Sequence, residues 1–218
     1  MNVSFQLAAW TTGLLLPPAL LLARWLAWTQ WRARGLAEAL VALPLVLPPT
    51  VMGFYLLGWM HAESWLGKLW FALTGGTLVF SFEGIVLACM LANIPFAVQP
   101  LQRAFESIPV AVREAAWLSG LSRWRTFWKI ELPLIWPGLV TALVLCFAHT
   151  LGEFGVVLMV GGAIHGETRT VAIAIYDQVQ AFDDAGAAML SAVLVVFALI
   201  TITVVFTLGR RASGVRHA

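Results

Sequence analysis

Five long apolar stretches constrain this chain more than any other feature. They run about 5–28, 40–60, 78–101, 132–160 and 187–208, each near the ~20 residues that a helix needs to cross a bilayer. Hydrophobic residues make up 61% of the 218 and charged residues 11%, whereas a soluble domain is about half apolar and a quarter charged. One soluble core of this size cannot bury that much apolar surface. An ordinary soluble enzyme and a disordered chain are therefore excluded. The expected fold is all-α: a polytopic membrane protein of about five transmembrane helices, one domain over 1–218.

The segments between the spans are too short for a soluble domain. They hold neither a G-x-x-x-x-G-K-[ST] phosphate loop nor an H-E-x-x-H pair, so no catalytic residue and no metal site is expected. A net charge of +2 is too small to suggest nucleic-acid binding. Cys89 and Cys146 fall inside apolar stretches and read as small buried hydrophobes. The N-terminus, MNVSFQLAAW, lacks a basic n-region and a cleavage site, so it reads as a retained span.

Lys and Arg set the expected orientation. Arg24, Arg32, Arg34, Arg103, Arg113, Arg123, Arg125, Lys129, Arg210, Arg211 and Arg216 fall on one side of a five-span chain, and only Lys68 and Arg169 on the other. That puts the N-terminus outside and the C-terminus in the cytoplasm. Acids lean the other way: Glu63, Glu83, Glu153, Glu167, Asp177, Asp183 and Asp184 fall on or near the outer side. A sixth span over Thr170 to Phe182 would break this pattern. The segment is too short to cross and carries Asp177, so it reads as an outer surface or re-entrant piece.

The cytoplasmic loop 103–133 is the most informative segment. Pro109 suits a helix start, with Ser107 as a possible cap. Val110 to Ser119 favours helix, and Gly120 sits where a left-handed C-terminal cap is needed. Ser122 can cap a second helix in which Trp124, Phe127, Trp128 and Leu132 share a face. Such a basic, Trp-rich amphipathic helix lies in the membrane interface. Within the loop stand Glu114-Ala115-Ala116, then Gly120 after three residues, Ile130 after nine more, and Leu132-Pro133. This spacing resembles the EAA motif, EAA-x3-G-x9-I-x-LP, of binding-protein-dependent ABC importer permeases. The resemblance implies a coupling helix, with Glu114, Ala115, Ala116, Leu118, Gly120 and Leu121 docked on an ATPase subunit.

Further segments resemble the permease subunit of bacterial molybdate importers: LPLVLPP at 43–49, FSFEG at 80–84, LGEFG at 151–155 and GETRT at 166–170. Sulfate permeases share part of this pattern, and tungstate is not distinguished from molybdate. The resemblance implies a homodimer in the bacterial inner membrane. It also implies two ABC ATPase subunits, which hold ATP and Mg, and one outer oxyanion-binding protein; this subunit itself needs no cofactor. An ion-coupled carrier or channel fits less well, because charges crowd the ends of the spans and an EAA loop would have no use. Polar groups inside the spans, Ser81, Asn93, Thr141, His149 and Thr150, are candidates for the substrate path. Glu153, at the outer end of the fourth span, and Glu167, Asp183 and Asp184, with Glu63, are candidates for an outer gate or binding-protein contact. The three prolines of the second stretch suggest a kinked or broken helix, and Pro95 and Pro100 a bend in the third.

Overall fold

The structure is a computed structural model that describes residues 2–214. The side chains of Arg210 and Arg211, and all of Arg216, lie outside the described residues. The described chain is all-α. Three helices are long and apolar enough to cross a membrane, or five if each of two bent pairs is one span.

Two parallel helices form the centre, α1 (Asn2–Trp28) and α5 (Phe82–Glu106). Leu7 of α1 packs with Ile85 and Cys89 at one end, and Trp28 meets Phe105 edge-on at 5.1 Å at the other. Between them, Ala19, Ala23 and Ala27 share a buried cluster with Ala97, Val98 and Leu101. Lipid tails are as apolar as leucine, so helices in a bilayer gain more from close approach than from burying large side chains. Alanines at every fourth position give α1 a narrow face that allows this approach. Pro17 and Pro18 do not break α1, because neighbouring helices shelter the freed backbone groups. α9 (Trp136–Gly152) packs antiparallel to α5: its Gly138 abuts Ala104, and its Thr150 meets Asn93.

The second apolar stretch is not one helix. It is α2 (Arg34–Val46) and α3 (Pro49–Met60), which differ in direction by 110°. Leu47 and Pro48 are extended, with ψ of 131° and 136°. Each precedes a proline, and the following ring disfavours the helical backbone for both. A short helix absent from the sequence reading, α4 (Trp65–Thr74), follows and ends at Gly75 with φ +74°. The next long helix starts at Phe82 and runs on to Glu106, offset from the expected 78–101.

The fourth stretch also divides. Its first residues belong to a bent run: α7 (Arg123–Thr126), a π-turn (Phe127–Glu131) and α8 (Leu132–Leu134). This run meets α9 at 73°. α9 stops at Gly152, and α10 (Gly155–Gly161) resumes after Glu153 and Phe154. Thr150 lies beside Asn93, the twelfth residue of α5, while the Val160 carbonyl accepts from Phe80 N at 2.9 Å, just before α5 begins. The break therefore lies beside the middle of α5, and α10 continues along the first half of α5. α11 (Val171–Gln180) is a separate short helix packed on α12 (Asp184–Gly214).

Among the described residues, the ion pairs of Lys and Arg segregate to two ends of the bundle. Arg24, Arg34, Arg103 and Arg113 pair with Glu38, Glu106 and Glu131 at the end where α5 finishes. Lys68 pairs with Glu63, and Arg169 with Asp177, in segments that follow α3 and α10.

Candidate functional site

The first candidate site is the helix that protrudes after α5. Ser107 does not cap it. Ser107 closes α5, its hydroxyl donating to the Ala104 carbonyl at 2.8 Å. Pro109 precedes the new helix, α6 (Val110–Leu118), without a side-chain cap. The fixed ring angle and missing N–H of Pro109 suit that place. At the far end Gly120 has φ +81°. Gly120 N donates to the Trp117 carbonyl at 2.9 Å and Leu121 N to the Ala116 carbonyl at 3.1 Å. Together these form a complete Schellman turn, which satisfies the orphan carbonyls and reverses the chain. Glu114 and Ala115 face outward, Ala116 is buried against the bundle, and Leu118 is 90% exposed. An exposed leucine on a protruding, charge-poor helix tip is what a partner surface would cover.

The inner face of α6 is tied to the bundle by charges whose pairing no local sequence pattern reports. Glu131 is fully buried in the π-turn. It accepts from Arg24 Nε at 2.6 Å, Arg24 Nη2 at 3.2 Å and Arg113 Nε at 3.2 Å. The Arg113 guanidinium lies 3.5 Å from the centre of the Trp28 ring and 5.0 Å from that of Trp117. Burial pulls the Arg113 guanidinium below its usual range, and Glu131 opposes that shift. Breaking a buried pair of this kind costs about 3–5 kcal/mol, because it leaves a charge uncompensated. The available signal was Glu131 itself, a lone acid next to Leu132-Pro133 in an apolar run.

The second candidate site is the break in the fourth span. Asn93 Nδ2 donates to Thr150 Oγ1 at 3.1 Å and to the Cys89 carbonyl at 2.8 Å. His149 stacks on Phe96, ring centres 4.1 Å apart, with Nε2 3.9 Å from the Glu153 carboxylate. The other Glu153 oxygen accepts from Val156 N at 3.1 Å and so caps α10. Glu153 is thus buried where α9 ends. An acid is tolerated there because it faces protein and satisfies a backbone N–H freed by the break. Asn93 Oδ1 and His149 Nδ1 have no partner among the described residues.

Ser81 and Thr141 stand apart from this group. Ser81 caps α5, its oxygen accepting from Gly84 N at 3.1 Å, and Thr141 donates to the Pro137 carbonyl at 2.8 Å. Glu63, Glu167, Asp183 and Asp184 are all exposed. Of these, Asp183 also accepts from Gly186 N at 2.9 Å at the start of α12. Thr168, in the GETRT segment, was not singled out from sequence. It is buried, and its hydroxyl donates to the Gly161 carbonyl and accepts from Ile164 N at 3.1 Å, holding the turn after α10.

Residues 18–213 match the family described as binding-protein-dependent transport system inner membrane component. The chain belongs to that family. It is a transport component and a multi-pass protein of the inner membrane. Among its relatives is the molybdenum transport system permease protein ModB of Azotobacter vinelandii, 45% identical over 98% of this chain and 95% of that protein. A probable sulfate transport system permease protein, cysT, of Chlorella vulgaris is 34% identical over 81% of this chain and 66% of that one. The fold is shared with a bacterial alginate ABC transporter at a TM-score of 0.72, 18% identity, and coverage of 96% of this chain and 79% of that one. It is also shared with the MetNI methionine ABC transporter at a TM-score of 0.70, 17% identity, and coverage of 97% and 91%.

Proposed function

We propose that this chain is the permease subunit of an ATP-driven molybdate importer. The observation that carries this reading is its 45% identity to a molybdenum permease over nearly the full length of both chains. Relatives described as sulfate permeases, such as the 34% identical algal chain, match less of their own length. Sulfate or tungstate is the alternative cargo.

The same reading places the N-terminus outside, the C-terminus in the cytoplasm and two copies around one path. Two ATPase subunits bind ATP and Mg, and an outer binding protein delivers the oxyanion. Exposed Glu114, Ala115, Leu118 and Gly120, with buried Ala116 and partly buried Leu121, form the surface and turn that dock on an ATPase. Short helices are suited to transmit rigid-body motion. Transport is coupled only if the two membrane conformations offer the ATPase different contacts.

His149 is the path candidate with the most open surface among the mid-span groups, its side chain 35% exposed. Asn93 and Thr150 are enclosed between α5 and α9 and hold that stretch in place. Glu153, between α9 and α10, is a candidate for an outer gate or a binding-protein contact. Glu63, Glu167 and Asp184 remain candidates to meet basic patches on the binding protein, and Asp183 combines that role with a cap.

The test is uptake of labelled molybdate, with sulfate and tungstate as competitors, in cells with and without this chain. Chain-dependent molybdate uptake that sulfate does not suppress is expected. Chain-dependent sulfate uptake without molybdate uptake would overturn the substrate assignment.

A further inference from the structure

Three segments of different origin meet at one carboxylate, and a fourth packs against one of them. Glu131 belongs to the π-turn, Arg24 and Trp28 to the end of α1, Arg113 to α6, and Phe105, edge-on to Trp28, to the end of α5. Glu131 is fully buried, and Arg113 keeps only 14% of its side chain exposed. π-Turns are rare and recur at functional positions. Here the wide turn carries Glu131 into the angle between the surface run and the span.

α6 has few other ties to the membrane helices. It ends in a free tip at Leu118 and Gly120, and Ala116 is its only buried residue. The bond from Arg113 to Glu131 is therefore the directional link between the protruding helix and the membrane. The geometry is unequal. Arg24 holds Glu131 through two nitrogens, the shorter bond at 2.6 Å, whereas Arg113 reaches it with one at 3.2 Å. The carboxylate is anchored to α1 and engaged by α6. The Arg113 guanidinium also lies over the Trp28 ring, 3.5 Å from its centre, so a displacement of α6 pushes on α1 through two contacts.

We infer that Glu131 is a positioning residue for coupling: with Arg24 and Arg113 it forms a brace that carries motion of α6 into α1 and, through the π-turn, into α9. This inference rests on the coupling reading above. A brace differs from a structural pin in what its loss changes. A pin affects how much complex assembles, whereas a brace affects how much cargo each assembled complex moves per ATP.

The experiment uses the complete complex of permease, ATPase and binding protein in proteoliposomes. It measures labelled molybdate imported and ATP hydrolysed per assembled complex. Glu131→Gln and Arg113→Gln are each expected to lower import per ATP by about tenfold, within the ordinary range of coupling between sites. Glu131→Asp, which keeps the charge, is expected to recover a measurable part of the loss. Arg113→Gln decides the matter if Glu131→Gln does not insert. An unchanged ratio in Arg113→Gln, with only the amount of complex reduced, would overturn the brace. A parallel Gly120→Val arm separates the two levels. If that variant also keeps the full ratio, the coupling reading itself fails; if it alone loses coupling, only the brace does.

Discussion

Gly120 and Glu153 do different work at the scale of single residues. A Cβ added to Gly120 would touch nothing within 4 Å, so substitution there acts through the backbone alone. An L-residue held in the left-handed region costs about 1–2 kcal/mol, and asparagine tolerates it best. Gly120→Asn is expected to keep most uptake. Gly120→Val is expected to distort the turn and lower uptake while the protein still inserts; uptake assays with membrane quantification check both. At Glu153 the essential property is an acceptor for Val156 N. Glu153→Gln keeps an acceptor there, whereas Glu153→Ala leaves a buried N–H unpaired, at about 1–2 kcal/mol for loss of a cap. The Ala variant should show the lower unfolding temperature in detergent, and the Gln variant should stay close to the parent.

Two close approaches hold the broken helices together at the scale of elements. A Cβ on Gly155 would sit 2.6 Å from Pro49 Cβ, and one on Gly53 would sit 2.6 Å from Met159 Cβ. α3 and α10 are thus in register through glycines at both crossings. Gly155→Leu should force them apart, with an overpacking cost of about 1–3 kcal/mol. A thermal-shift measurement would show the loss, and uptake should fall with it. Elements of this kind were only partly legible in the sequence. The long apolar helices and the helices of the 103–133 loop were readable because long apolar runs and a Trp-rich basic segment mark them directly. The turn at Gly120 was readable because one residue type suits a left-handed cap. The two breaks were harder. The prolines at 44, 48 and 49 signalled a bend but not 110°. LGEFG signalled no interruption, because the residues on both sides of it are mostly apolar. That Glu153 stands near the middle of α5 followed only from which residue of α5 lies beside Thr150.

For the whole molecule, the distribution of charge was legible and its pairing was not. Counting Lys and Arg separated the two ends, and the ion pairs of the structure respect that division. Counting does not reveal that Glu131, Arg24 and Arg113, up to 107 positions apart, converge on one buried point. Long-range pairing depends on how α1, α5 and α9 pack, and one sequence does not encode that in any local pattern. The resulting molecule has a membrane bundle with a broken helix near its middle and a small rigid helix projecting from its basic end. Its proposed action depends on force entering at that projection. The most direct measurement is ATP-driven accumulation of labelled molybdate in proteoliposomes holding the complete complex, comparing the intact permease with one lacking residues 107–121. The expected result is accumulation above the external concentration with the intact chain, and none with the shortened chain despite normal insertion. Equal accumulation by both would contradict a coupling role for this helix.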